Sequence, residues 1–293
     1  MNKAGLLSLV AIVFLAVTFL TIGDTAGKLL TAGGVSPYVV AWLRFGLAAL
    51  VLLPFSGLSL KEFPHLLNWR VLLRAFFVAS GVFCILTALK TAPIADAFGA
   101  FFIGPVVSYV LAIIFLGEKP SRLRSGLLAV SFLGVMLVVK PGFGTSVGML
   151  FALAAGAFHG AFLVMTRTIS GEFRPRFLLI SQLLIGTLII TPFGLSAGFP
   201  TIDLHMSKLL LISAVGSALG NYLLVVASKK AEASLVAPLI YSQLIPATVL
   251  GVFVFGDFPD MYSIAGLALI ITSGAGSLIV SESSLTQRLA RQH

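Results

Sequence analysis

The sequence predicts an all-α integral membrane protein, with ten transmembrane helices in two inverted five-helix repeats. Three observations carry this. The 293 residues are 58% hydrophobic and 10% charged, with a mean hydropathy of +1.09. Apolar runs of spanning length recur along the chain. Two distant stretches align with each other at a fixed offset. Soluble globular chains average about 25% charged residues, so this chain has too few charges to cover a water-facing surface. Lipid must be the solvent for most of it.

A helix needs about 20 apolar residues to cross a bilayer. The first run, 5–30, follows Lys3 and begins like a signal peptide. It continues to Leu30, long enough to span, and no small-residue cleavage site stands out, so it is read as a retained first span. Further runs follow at 37–55, 71–89, 93–116, 124–140, 147–167, 176–193, 207–228, 233–255 and 261–280. Connections such as "TAGGVSP" and "KTAPIA" are so short that the helices they join must be antiparallel neighbours.

Basic residues set the orientation. With the N-terminus inside, the cytoplasmic segments carry Lys3, Lys61, Arg70, Arg74, Lys119, Arg122, Arg124, Arg167, Arg174, Arg176, Lys229, Lys230, Arg288 and Arg291. The external side holds Lys28, Lys90, Lys140 and Lys208, and Arg44 is left inside a span. Both termini are therefore expected in the cytoplasm. The net charge of +9 reads as topology rather than as a nucleic-acid surface. The single cysteine, Cys84, excludes an internal disulfide and any cysteine-based metal cluster.

The stretch "ALKTAPIADAFGAFFIGPVVSYVLAIIFLGEKP" from Ala88 aligns without a gap with "ASKKAEASLVAPLIYSQLIPATVLGVFVFGDFP" from Ala227, at an offset of 139. Lys90, Leu111, Gly117 and Pro120 meet Lys229, Leu250, Gly256 and Pro259, and Glu118 meets Asp257. A second echo, at offset 138, matches Pro37, Pro54 and Phe55 with Pro175, Pro192 and Phe193. Two halves follow, 1–140 and 141–293, the second ending in a short cytoplasmic tail. Five helices per half is an odd number, so the second half must be inverted. Inverted repeats are common in secondary transporters, with the substrate site near the midplane between the halves.

The first stretch resembles the central signature of the drug/metabolite transporter superfamily, in its ten-helix EamA branch. "TIGDTAGK" is similar to that family's first-helix segment, and the arginine in "WLRF" to its second-helix arginine. The resemblance covers essentially the whole chain. It implies a metabolite carrier of a bacterial inner membrane, most similar to exporters of amino acids, aromatic ones included. Asp24 departs from the small polar residue usual in the family, so no family role is carried to it.

Arg44 sits in the otherwise apolar "VAWLRFGLAALVLLPF", where a lone arginine costs roughly 2.5 kcal/mol or more. Asp24 lies ten residues before the first turn at Gly34 and Arg44 ten after it. At about 1.5 Å per residue both reach a similar depth. The two are expected to pair, directly or through water, and Lys28, one turn above Asp24, to share the carboxylate. The pair either fixes helix packing or couples transport to protons through Asp24.

Nearer the midplane, His159, Asn221 with Tyr222, and Tyr241 with Gln243 bring hydrogen-bonding groups from three helices to one depth, with Ser80 and Ser108 from the first half. These seven are the candidate substrate contacts. Each can instead serve helix–helix hydrogen bonding. An unperturbed imidazole titrates near neutral pH, so a proton-coupled mechanism could use His159. Gly156 with Gly160, Gly23 with Gly27 and Gly216 with Gly220 are small-residue pairs suited to close helix approach. Pro105 and Pro246 predict kinks at matched places in the two halves. Phe83, Phe101 and Phe158 are candidates to flank an apolar part of the substrate.

No phosphate loop or HExxH occurs in the sequence, and no soluble domain exists to hold ATP. A primary pump is excluded, and an enzyme or channel is disfavoured. No cofactor or metal is expected. The partners are a small-molecule substrate and the bilayer, with the chain a monomer or weak homo-oligomer. The function predicted is export of amino acids or similar small metabolites by alternating access, with broad specificity. Import, or efflux of another substrate class, is the alternative, and an integral membrane enzyme comes after it.

Overall fold

In the computed structural model, residues 3–118, 120, 122–139, 146–198, 203–231, 236 and 239–290 are described. Lys119, Lys140 and Arg291, assigned to sides by the charge pattern, lie outside these. All regular structure among the described residues is helical. Helix α1 covers Lys3–Ala32 and α2 Pro37–Ser56. A 3₁₀ turn, Leu60–Glu62, and the short α3, Phe63–Leu66, lead to α4, Trp69–Leu89. Helices α5 (Ile94–Phe101), α6 (Ile103–Leu116) and α7 (Arg122–Val139) complete the first half. The second brings α8 (Val147–Ile169), α9 (Pro175–Ser196) and α10 (Leu204–Lys230). A 3₁₀ turn (Ile240–Gln243), α11 (Leu244–Leu250), a π turn (Gly251–Phe255) and α12 (Met261–Ala290) end the chain.

Seven segments among the described residues are long and apolar enough to cross a membrane: Gly5–Ala32, Pro37–Ser56, Trp69–Leu89, Ile94–Leu116, Val147–Ile169, Pro175–Ser196 and Leu204–Lys230. Shorter apolar helices, Ser125–Val139, Ile240–Phe255 and Met261–Gly274, occupy the fifth, ninth and tenth runs. Pro37 and Pro175 stand in the first turn of α2 and α9, where a missing N–H costs nothing. Side chains of Asn68, Ser146 and Asp203 cap α4, α8 and α10 through the amides of Arg70, Met149 and Met206. Such caps matter because lipid offers no partner to a free backbone group.

Helix α1 packs on α10, α4 on α8, α2 on α9 and α7 on α12. Glycines permit the approach. A Cβ on Gly220 would lie 2.6 Å from the Ala16 carbonyl oxygen, and one on Gly104 2.7 Å from that of Gly156. Gly134 and Gly266 face each other's carbonyls across α7 and α12 in the same way. Without a hydrophobic force between helices in lipid, this backbone contact is a main source of association.

Arg74 corrects the sequence reading. Taken there as a loop charge, it is fully buried in α4. Its Nε donates to Thr166 Oγ1 at 2.8 Å and its Nη1 to the Leu178 carbonyl at 2.8 Å, and the guanidinium lies 4.7 Å from the Phe162 ring centre. Dipoles and a π face hold this charge without a carboxylate. Nearness to the helix end made it look like a flanking residue.

On the same side, Arg174 joins the α8–α9 connection to the one after α2. It donates twice to Glu62, at 2.7 Å each, and to the carbonyls of Ser56 and Gly57 at 2.8 and 2.6 Å. Arg70 and Glu172 form a second bidentate pair at 2.7 and 2.6 Å. The hydrogen bonds from Arg174 hold the Glu62 carboxyl at about 2, below its usual 4.5. A lowered folded-state pKa stabilises fully above the unfolded value and is lost as pH falls through the folded one. Glu62→Gln therefore lowers the melting temperature of detergent-solubilised protein at pH 7, and the difference from wild type shrinks below pH 4.5 and is gone near pH 2. Thermal unfolding followed by intrinsic fluorescence at several pH values checks this.

Candidate functional site

A small cavity of about 40 Å³ lies between the halves. Helix α1 contributes Leu20 and Asp24, and α2 contributes Arg44. Phe77, Val78, Gly81, Val82 and Ile85 of α4, with Phe98 and Phe101 of α5, form an apolar wall. His159 of α8, Asn221 of α10 and Gln243 of the 3₁₀ turn supply the remaining polar groups.

The ion pair forms part of this wall. Arg44 Nη1 donates to Asp24 Oδ1 at 2.5 Å, with both side chains buried. A Cβ on Gly23 would lie 3.0 Å from the Ser213 carbonyl oxygen and the Ser217 amide nitrogen, so glycine lets α10 approach α1 beside the pair. Arg44 Nε is buried and makes no hydrogen bond among the described residues. His159 lies between the rings of Phe101 and Phe162, with centroids 5.0 and 5.7 Å away, and its Nε2 also lacks a partner. Asn221 Nδ2 donates to the Ser217 carbonyl at 2.9 Å. The Gln243 side chain has no hydrogen bond to another described residue and borders the cavity. Charged, neutral-polar and aromatic surfaces thus meet around one cavity, with donor capacity at Arg44 and His159 unspent among the described residues.

The other candidates fall elsewhere. Tyr241 is buried against Phe102, ring centroids 5.2 Å apart, and its hydroxyl accepts a hydrogen bond from Ser131 Oγ at 2.7 Å. Tyr222 faces away from the cavity into a groove with Phe55, Ser56 and Arg176. Ser108 packs beside Gly160 with its hydroxyl unpartnered among the described residues, and Ser80 is half-buried outside the cavity lining. Lys28 pairs with Asp257 at 2.7 Å rather than with Asp24. The lysine points along the helix away from Asp24, toward the end of the π turn. Of the phenylalanines singled out, only Phe101 lines the cavity. Phe83 stacks on Tyr38 at 4.4 Å, and Phe158 packs on Phe76 and Phe77.

The two prolines mark breaks rather than mid-helix kinks. The chain interrupts at Phe102, between α5 and α6, and Pro105 is the third residue of α6. The 3₁₀ turn ends at Gln243, and Pro246 is the third residue of α11. In a helix's first turn the N–H has no intrahelical partner, so proline fits there without loss. Each break brings an aromatic or polar side chain (Phe101, Gln243) to the cavity.

Comparison with known proteins places the chain. The family model described as the EamA-like transporter family matches residues 7–140 and again 146–279. The chain belongs to this family, within the drug/metabolite transporter superfamily; it is a membrane transporter and not an enzyme. Its similarity extends to a riboflavin transporter of Rhizobium johnstonii, 28% identical over 80% of this chain and 78% of that one. An S-adenosylmethionine uptake transporter of Rickettsia bellii is 28% identical over 80% and 81%. The pseudopaline exporter CntI of Pseudomonas aeruginosa is 28% identical over 69% and 72%. One crystal structure superposes with a TM-score of 0.69 at 18% identity, covering 94% of this chain and 98% of its own, which shows the shared fold.

Removing one partner of a buried ion pair strands the other charge, at a cost of about 3–5 kcal/mol. Asp24→Ala and Arg44→Ala each lower stability by that order, whereas Asp24→Asn with Arg44→Gln regains most of it. Chemical unfolding of the three variants in detergent checks the pattern. A double variant as unstable as the singles would contradict it.

Proposed function

We propose that this transporter exports amino acids and similar small zwitterionic metabolites by alternating access, with broad specificity. The observation that carries the reading is the cavity. It sets one acid, one base and neutral amide and imidazole groups against phenyl rings. A solute with a carboxylate, an ammonium group and an apolar body matches that set. Its carboxylate accepts from Arg44 Nε and from His159, its ammonium donates to Asp24, and its side chain lies against Phe77, Phe98 and Phe101. Fixed charges bind the shared backbone of such solutes, while a plain phenyl wall tolerates many side chains. Asn221 and Gln243 orient the substrate. Tyr241 and Ser108 support the helices around it.

The architecture we propose is ten spans, in inverted halves 1–140 and 141–293, with the shorter helices completing the count. Both termini face the cytoplasm of a bacterial inner membrane, and the chain acts as a monomer or weak homo-oligomer. Two halves around one central cavity suit alternating access. The breaks beside Pro105 and Pro246 are the places where half-helices bend. Relatives named for uptake and for export occur together, as expected of a reversible carrier whose direction is set by gradients.

Counterflow tests the reading, since it needs no knowledge of the driving force. Proteoliposomes preloaded with single unlabelled amino acids are given the same amino acid as a trace label outside. Several amino acids exchange, and His159→Ala, Gln243→Ala and the folded Asp24→Asn/Arg44→Gln variant lose exchange at least tenfold. Failure of every amino acid to exchange would overturn the substrate class. Riboflavin and S-adenosylmethionine are then assayed in the same vesicles, following the named relatives.

A further inference from the structure

One ion pair fastens α1 to the end of the ninth span. Lys28 Nζ lies 2.7 Å from Asp257 Oδ2 and 4.3 Å from the centre of the Phe255 ring. The internal repeat gives this contact a counterpart on the other side of the molecule.

Two independent structural matches fix the register of the repeat. A Cβ on Gly81 of α4 would meet the Ala155 carbonyl of α8, and one on Gly220 of α10 would meet the Ala16 carbonyl of α1. Positions 220 and 81, and likewise 155 and 16, differ by 139. The second match is a cap. Gly117 and Gly256 both adopt left-handed backbone, at φ 65° and 70°. The next amides close the same loop, Glu118 N–H to the Ala112 carbonyl at 3.3 Å and Asp257 N–H to the Gly251 carbonyl at 3.1 Å. Only glycine takes that conformation without strain, so the motif places an acid immediately after each helix end. The shift to offset 138 at Pro37 and Pro175 falls in the connections beyond these helices.

At offset 139, Lys28 corresponds to Arg167 and Asp257 to Glu118. The chemistry is retained at both positions, cation for cation and acid for acid. The arrangement is not. Arg167 Nη1 donates instead to the Ser228 carbonyl at 3.0 Å, and the Glu118 side chain has no partner among the described residues. One member of a symmetric pair of contacts is made and the other is open.

We infer that Glu118 and Arg167 form a reciprocal latch, pairing on the cytoplasmic side when the Lys28–Asp257 pair parts on the external side. This rests on the alternating-access reading above. In a carrier of two related halves, exchanging their conformations converts one facing state into the other, and contacts exchange with them. Each latch stabilises one state, so removing it shifts the population toward the opposite one. A partly exposed ion pair shifts such an equilibrium roughly two- to fivefold.

The test reads access to the cavity and needs no substrate. Gln243→Cys on a Cys84→Ala background is labelled with a membrane-impermeant maleimide in right-side-out and inside-out vesicles. Glu118→Gln and Arg167→Gln each raise the ratio of cytoplasmic to external labelling two- to fivefold. Lys28→Gln and Asp257→Asn lower it by a similar factor. The charge exchange Glu118→Arg with Arg167→Glu returns the ratio to that of the parent. If the Lys28 and Asp257 variants move the ratio while the Glu118 and Arg167 variants do not, or if the exchange fails to restore it, the latch is wrong and alternating access stands. If labelling stays on one side in every variant, alternating access and the latch fall together.

Discussion

The pair of Asp24 and Arg44 is the constraint around which the rest of this molecule is arranged. Neither charge is tolerable alone in a site closed to water, and each makes the other possible. Gly23, Gly216 and Gly220 let α10 close over α1 beside the pair. Yet the pair is not saturated. Arg44 retains a buried nitrogen without a partner among the described residues, and Arg44 and His159 line the same cavity. Leaving a donor unspent is costly in a low-dielectric site, and in the proposed mode of binding a solute with an acceptor recovers that cost.

The halves resemble each other in backbone and have diverged in chemistry. Caps, glycine contacts and helix breaks recur, because any span must satisfy its termini and pack by backbone approach. The central charges do not recur. Gln182 stands at the repeat position of Arg44 and is buried without a hydrogen bond among the described residues. The first half therefore brings fixed charge to the cavity, while the second brings His159, Asn221 and Gln243. Under the proposed alternating access, an asymmetric lining inside two related halves would let one site be reached from both sides while holding the substrate in one orientation.

Depth was legible in the sequence, and direction around a helix was not. Counting ten residues each way from Gly34 brought Asp24 to Arg44, since rise per residue is fixed. Counting also put Asn221 and Tyr222 at one level, yet they point to different surfaces of α10. In a soluble helix an apolar stripe reveals the buried side. Here lipid and protein interior are equally apolar, so α10 has no such stripe, and Tyr222 could not be told from Asn221. Tyr241 was placed near the site by depth but spends its hydroxyl on Ser131. The partner of Lys28 lies 229 residues away and was hidden by that separation. Its acid had nonetheless been matched to Glu118 in the repeat. The apolar wall of α4 was missed because its phenylalanines and valines look like any other span.

The central claim is that the unspent donors of Arg44 and His159 receive the carboxylate of a zwitterionic solute. It is tested most directly by a structure determined with a transported amino acid bound. The account predicts carboxylate density within hydrogen-bond distance of Arg44 Nε, the ammonium group beside Asp24, and the side chain against Phe77, Phe98 and Phe101. A ligand bound elsewhere, with Arg44 still engaged by Asp24 alone, would contradict it.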